Sequence, residues 1–169
     1  MSNCNLEAIL AVDENFGLSK DGKIPWKNKK DMNFFKTKTI GNIVIMGSNT
    51  LLSLPNQSPL PNRLNIILTN NKSQYENKYL NFDNIIFYNY IELLSYLSSY
   101  NSDKTIFIIG GKQIYDLFIP LCSKIWLTKI KGNYDCDLFM QIRYENYSSE
   151  NIYSDDTMYI QCLSSIVTI

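Results

Sequence analysis

Six short runs of apolar, largely β-branched residues punctuate the chain: Leu6–Val12, Ile43–Met46, Leu64–Thr69, Ile85–Tyr88, Thr105–Ile109 and Ile125–Ile130. A strand with one wet face alternates polar and apolar residues, whereas a strand apolar on both faces needs cover on both sides. Helical segments lie between most of these runs. Lys29–Lys38, Asn49–Leu54 and Gln113–Phe118 read as helices, and Tyr90–Tyr100 places Leu93, Leu94 and Leu97 at helical spacing. The alternation predicts a mostly parallel central sheet with helices on both faces. Two further extended runs, Tyr147–Ile152 and Tyr159–Thr168, have no helix between them and predict an antiparallel pair at one edge. The expected architecture is a single α/β domain over residues 1–169, its sheet having about eight strands. Asp13–Lys27 holds Gly17, Gly22 and Pro25 and reads as a long ordered loop. Pro55–Asn62 holds three prolines and reads as loop too.

Composition removes several kinds of function. Lys plus Arg number 16 and Asp plus Glu number 16, so the basic excess of a nucleic-acid binder is missing. The local cluster Lys27, Lys29 and Lys30 reads as a solvated helix start. With no histidine in the chain, Ser-His-Asp and Cys-His catalysis and His-ligated zinc fall away, and no metal site is expected. Acid–base work must fall to a carboxylate, Lys, Tyr, Cys or water. Cys4, Cys122, Cys136 and Cys162 are scattered and read as free thiols of a cytoplasmic protein. The run Ala8–Val12 is too short for a signal peptide. No stretch approaches the roughly 18 apolar residues of a membrane helix.

Ligands of open α/β sheets bind beyond the carboxyl ends of the strands. Three junctions there carry chemistry. Gly110-Gly111 runs into the helix starting near Lys112, and Gly47-Ser48-Asn49-Thr50 is again a strand end meeting a helix start. Glycine permits close backbone approach, helix starts attract phosphate, and two such starts facing one crevice suit a dinucleotide. Either motif alone is a weak signal, and a Gly-Gly after a strand is more often just a tight turn. The third is Asp31, which shares a helix face with Phe34, Phe35 and Lys38 at i+3, i+4 and i+7. Alone it reads as a first-turn acid favoured by the helix dipole, or as a carboxylate at the edge of a buried stripe.

Taken in order, these segments resemble the dihydrofolate reductases: Ala8-Ile9-Leu10-Ala11-Val12-Asp13, Gly17-Leu18, Ile24-Pro25-Trp26 and Asp31-Met32-x-x-Phe35-Lys36. The likeness continues through Val44-Ile45-Met46-Gly47-x-x-Thr50, Leu60-Pro61-x-Arg63-x-Asn65 and Ile108-Ile109-Gly110-Gly111-x-x-Ile114-Tyr115. Leu127-Thr128 and Asp137-x-Phe139 close it, and the C-terminal segment shares only a strand pattern. The resemblance implies reduction of dihydrofolate by NADPH in a monomer that binds neither nucleic acid nor membrane, with thymidylate synthase as a partner for association. It implies that Asp31 grips the 2-amino group and N3 of the pterin and promotes protonation at N5, that Thr128 hydrogen-bonds that carboxylate, and that Trp26 helps to hold an ordered water. Ile9, Met32, Phe35, Leu54 and Leu60 would wall the substrate slot with Ile109 and Tyr115, although the helical spacing of Tyr115 and Phe118 alone reads as core. Arg63 would take the glutamate α-carboxylate as a bidentate pair. Ala11 and Leu18 would meet the nicotinamide carboxamide, and Gly110-Gly111 would hold a cis peptide. Gly47, Ser48, Asn49, Thr50, Thr69, Asn70, Lys112, Gln113 and Ile114 would line the rest of the cofactor groove. The loop Asp13–Lys27 would gate the site.

The chain departs from the family where the 2′-phosphate of NADPH usually meets a basic residue. Ser48, Asn49 and Asn70 stand there, which leaves Lys72 and Lys112 as substitutes and weakens the expected discrimination against NADH. Two other readings stay open at this point: a riboflavin-pathway reductase of the same fold, and a non-catalytic folate-binding or assembly module.

Overall fold

The computed structural model describes residues 4–167, so Thr168 of the last extended run lies outside the described residues. The chain runs β1 (Leu6–Val12), β2 (Gly17–Ser19), α1 (Lys29–Thr39), β3 (Ile43–Gly47), α2 (Ser48–Ser53), β4 (Leu64–Leu68), α3 (Ser73–Glu76) and β5 (Ile85–Tyr88). It continues with α4 (Tyr90–Ser99), β6 (Ile106–Gly110), α5 (Lys112–Phe118), β7 (Lys124–Ile130), β8 (Leu138–Phe139), β9 (Tyr147–Ser154) and β10 (Met158–Ser165). Eight strands form one sheet in the order β5-β4-β3-β6-β1-β7-β10-β9. Pairing is parallel from β5 through β7. It is antiparallel for β7 with β10 and for β10 with β9. The architecture read from the sequence is therefore the one observed.

The period of two along β1 divides its side chains between the two faces. Leu6, Ala8, Leu10 and Val12 join Leu93 and Leu97 of α4 and Tyr115 and Phe118 of α5 in one cluster. Ile9 turns the other way, to Val44, Met46, Phe107, Leu51 of α2 and the half-buried Phe34 and Phe35 of α1. Glu7 shares the Ile9 face, buried at the strand start. Its carboxylate accepts the Trp126 indole N–H at 2.7 Å, and Lys38 Nζ lies 3.5 Å from the centroid of that ring. A charge set among apolar neighbours thus keeps a donor and a nearby cation.

Two segments differ from the sequence reading. Ser73–Glu76 is a single helical turn, too short for a periodic signal. The Asp13–Lys27 loop contains β2, which pairs antiparallel with β8 in a separate two-stranded sheet. Asp13 is the knot of this loop. It is fully buried, and its carboxylate accepts the backbone N–H groups of Asn15 at 2.9 Å, Gly17 at 2.8 Å and Tyr134 at 3.2 Å. Burial alone would raise its pKa, but those three N–H groups and the Cys136 thiol outweigh it and hold the carboxyl below the usual carboxylate range. A Cβ at Gly17 would collide with Cys136 and with the Asp13 oxygen, so only glycine fits the crossing point.

A carboxyl whose folded pKa is depressed contributes stability above its ordinary value, and that contribution is lost as pH falls through the folded value. Asp13→Ala strands three donors, and its expected cost is about 2–3 kcal/mol of unfolding free energy at pH 7. Urea titrations at pH 7 and at pH 3 check this, with the gap from the parent chain narrowing below the ordinary carboxylate value of 3.8.

Candidate active site

The carboxyl ends of β3, β6, β1 and β7 lie side by side in the middle of the sheet. Helix α1 starts beside them. Asn28 caps it, its side-chain oxygen accepting the Asp31 N–H at 3.1 Å, which puts Asp31 in the first helical turn. Asp31 is half-buried. Loss of water raises its pKa, and a hydrogen bond with Thr128 pulls in the opposite direction. Thr128 is 1% exposed in β7 and pairs in register with Ala11 of β1. Tyr115 of α5 completes the polar floor, its hydroxyl donating to the Ile9 carbonyl at 2.9 Å. Burial first, and then the nearby Asp31 charge, hold its pKa far above the ordinary phenol value, so it acts as a neutral donor. A carboxyl that loses water but keeps a hydroxyl partner is poised to grip a cationic or amidine-like ligand edge.

An apolar wall stands beside this carboxyl. Ile9 is buried, and Phe34, Phe35, Leu54, Leu60 and Ile109 are partly buried against the same cluster. The β3–β6 register shifts between the Ile45–Ile108 and Met46–Gly110 pairs, leaving Ile109 as the extra residue of a bulge. Bulges re-aim side chains in this way. Met32 is 64% exposed and stands outside the packed cluster. Trp26 is buried with Ile130, Cys136 and Met158, edge-on to Tyr134 at 5.4 Å, with Ala11 and Phe34 packed against the same group.

Arg63 marks the other end of α1. It is 6% exposed, with Nε donating to the Pro61 carbonyl and Nη1 to Thr39 Oγ1, both at 3.0 Å. Eight helical residues separate Asp31 from Thr39, about 12 Å along the axis at 1.5 Å per residue. The helix is thus a ruler with a carboxylate at one end and a guanidinium at the other.

A second set of residues lies across β3 and β6. Gly47 and Gly111 are the N-cap residues of α2 and α5, and neither helix start has a side-chain cap. Met46 pairs with Gly110, so the two helix starts are neighbours. A Cβ on Gly47 would come within 3.3 Å of Ile114, and one on Gly111 within 3.6 Å of Thr50 Oγ1. The Gly110–Gly111 peptide is cis. Two adjacent uncapped helix starts, bare of Cβ atoms and flanked by the Thr50 hydroxyl, fit a pyrophosphate. Leu18 packs half-buried on the first core cluster; Ser48, Thr50 and Thr69 are half-buried, and Asn49, Asn70 and Gln113 are exposed. The two lysines expected as substitute phosphate partners are both engaged: Lys72 pairs with Glu92, and Lys112 with Asp116 at 2.7 Å.

The sequence reading named Asp31, Thr128 and Tyr115, which meet around one point. It missed Trp126, whose ring floors the apolar wall against Phe34 at 6.2 Å, and the Asp13–Cys136 knot under the Asp13–Lys27 loop. Neither left a local signal, because each depends on residues about ninety or more positions away.

Sheet, helix starts and half-buried carboxyl together are the arrangement of an α/β enzyme with a dinucleotide-type cleft. The sequence profile of dihydrofolate reductase matches residues 5–164. The chain is 34% identical over 145 residues to the dihydrofolate reductase of Ureaplasma parvum, covering 85% of this chain and 86% of that one. It is 34% identical over 149 residues to that of Heliothis virescens, covering 82% and 80%. The bifunctional dihydrofolate reductase-thymidylate synthase of Daucus carota is 35% identical over 154 residues, which are 83% of this chain but 29% of that protein. A solved dihydrofolate reductase from Enterococcus faecalis, complexed with NADP(H) and RAB-propyl, superposes with a TM-score of 0.76 at 27% identity, covering 96% of both chains. The chain belongs to the dihydrofolate reductase family and is an enzyme of that kind.

A carboxyl with a raised folded pKa holds its proton more tightly when folded, so stability falls as pH rises through that value. Asp31 therefore costs stability at neutral pH. Asp31→Asn is expected to melt at a higher temperature than the parent at pH 7, with the gain shrinking toward pH 4, as thermal scans across that range measure.

Proposed function

We propose that this chain reduces 7,8-dihydrofolate to 5,6,7,8-tetrahydrofolate with NADPH. The bound nicotinamide supplies the hydride that goes to C6 of the pterin. Everything else falls to the chain's own side chains. Asp31 takes the 2-amino and N3 edge of the pterin, and its charge favours a proton arriving at N5. Thr128 orients that carboxylate. Trp26 helps to hold the water that carries the proton. The apolar wall of Ile9, Phe35, Leu54, Leu60 and Ile109, joined by Met32 at its open side, excludes other water from the ring. Arg63 takes the terminal carboxylate of the substrate at the far end of α1. Gly47, Gly110 and Gly111 with Thr50, Gln113 and Ile114 receive the cofactor phosphates, while Ala11 and Leu18 meet the nicotinamide carboxamide. The observation that carries this reading is the pairing of a half-buried, hydroxyl-bonded carboxyl with a buried guanidinium at the two ends of one helix. Positioning is the larger part of such catalysis, and the proton source the smaller.

Asp31→Asn keeps the shape of the site and removes its charge. The expected kcat loss at pH 7 is about 10²–10⁴-fold, easing at low pH where the substrate arrives already protonated. Stopped-flow and steady-state rates from pH 5 to pH 8 test it. Full activity of that variant at pH 7 would remove Asp31 from the mechanism. The same assay, run with dihydrofolate and with the pyrimidine substrate of the riboflavin pathway, separates the two reductase readings. Binding of folate with no cofactor oxidation would favour a non-catalytic module.

The cofactor preference follows from charge. Ser48, Asn49, Thr69 and Asn70 offer hydroxyls and amides to the ribose, and the nearby Lys72 and Lys112 are already neutralised by Glu92 and Asp116. We expect NADH to be used as well, with a kcat/KM ratio of NADPH to NADH of about ten or less, since one unmatched phosphate contact is worth about 1–2 kcal/mol. Parallel assays with both cofactors measure it, and a strong NADPH preference surviving Lys72→Ala with Lys112→Ala would refute the charge argument. The bifunctional relatives suggest thymidylate synthase as a partner, which co-migration of the two proteins on gel filtration tests.

A further inference from the structure

Two helices of this protein begin with the same pattern, an asparagine N-cap followed three residues later by an acid. In α4 the box closes both ways: Asn89 accepts the Glu92 N–H at 2.9 Å and the Glu92 carboxylate accepts the Asn89 N–H at 2.8 Å. In α1 it closes one way only. Asn28 accepts the Asp31 N–H, while the Asp31 carboxylate is turned to Thr128 instead. A half-closed box gives up one of the two hydrogen bonds that normally fix a helix start. Something else must hold Asn28.

That support comes from the turn between β9 and β10. Asn28 Nδ2 donates to Thr157 Oγ1 at 3.0 Å, and Thr157 Oγ1 donates to Asp155 Oδ1 at 2.7 Å. Asp155 Oδ1 also accepts the N–H groups of Thr157 at 2.7 Å and Met158 at 3.0 Å, and Oδ2 accepts the Tyr153 hydroxyl at 2.9 Å and Lys30 Nζ at 3.1 Å. An ionised carboxylate only accepts, so the Thr157 proton must point at Asp155. Its oxygen is then left to accept, which requires the NH2 group of Asn28. With that end of the amide committed, the oxygen of Asn28 faces the Asp31 N–H. Donation thus runs in one direction, from the backbone N–H of the acid in the site to the carboxylate of a distant hairpin, and that carboxylate fixes the order.

We infer that Asp155, Thr157 and Asn28 form a directional clasp that positions Asp31, aiming its carboxylate at Thr128 and the substrate rather than back at its own helix cap. Thr157 and Asn28 touch neither substrate nor cofactor in the proposed reaction; they act through α1. The exposed Lys30–Asp155 ion pair adds little energy of its own, so the clasp works by hydrogen-bond direction rather than by charge. This inference rests on the reductase reading for its kinetic consequence but not for its structural one.

Thr157→Val keeps the shape of the turn and removes the hydroxyl, and Thr157→Ser restores it. In the dihydrofolate assay, Thr157→Val is expected to lower kcat at pH 7 about tenfold, since small misplacements of a reacting group cost that much or more. The KM for NADPH should stay unchanged, the pH profile should shift, and Thr157→Ser should recover the parent values. Carbon-13 NMR titration of the Asp31 carboxyl gives a readout independent of turnover, and Thr157→Val should move it toward the ordinary carboxylate range. Thr157→Ala, measured beside it, carries the same expectations should the valine variant fail to fold. An unchanged pH profile and an unchanged Asp31 titration in a folded variant would overturn the clasp, even if the melting temperature fell. A parent chain inactive with dihydrofolate would overturn the reductase reading instead, and the titration would still decide the clasp.

Discussion

The structure turns on a carboxyl that has been drawn out of water without being neutralised by a cation. Asp31 keeps a hydroxyl from Thr128 and feels a neutral phenol at Tyr115, and no lysine or arginine is paired with it among the described residues. Had an arginine stood there, the site would be a satisfied salt bridge with nothing left for a ligand. Its absence leaves the carboxyl free to accept from a ligand donor. The cost falls on the fold, which must hold the charge at a helix start, between two strands and against an apolar wall.

That cost explains how much of the molecule converges on a few atoms. Thr128 reaches the carboxyl only because β7 lies beside β1 in a register that opposes it to Ala11. Tyr115 reaches it because α5 follows β6, whose bulge at Ile109 displaces the strand end. Arg63 is fixed at the far end of α1 by Thr39, whose hydroxyl donates to the Phe35 carbonyl at 2.8 Å. The helix therefore carries the carboxyl, the aromatic wall and the hydroxyl that holds the guanidinium.

The cofactor side follows a different logic. It relies on backbone rather than on charged side chains: two glycine-started helices, adjacent because their strands are adjacent, present uncapped N–H groups. The lysines within range are spent on local carboxylates. Beneath the Asp13–Lys27 loop, Asp13 binds backbone from both the loop and the segment that ends in β8, so hydrogen bonds order the loop together with the packing of Leu18 and Trp26.

The eight-strand sheet was legible because strands apolar on both faces can exist only between two layers of helices, and that requirement is local. Asp31, Arg63 and the two glycine junctions were legible because their motifs are contiguous. Ser73–Glu76 and the β2–β8 pair were not, being too short to show a period. Lys72 looked free in the sequence, and only folding brought Glu92 to it, whereas the Lys112–Asp116 pair follows from i, i+4 spacing on α5. By itself, then, the sequence determined the layers, the order of elements and the identity of the reactive groups, since these depend on periodicity and residue chemistry. Tertiary structure alone decided how Asp31 is aimed and what holds the loop, because each depends on partners far along the chain, Thr128 and the Asn28–Thr157 contact for the one and Tyr134 for the other.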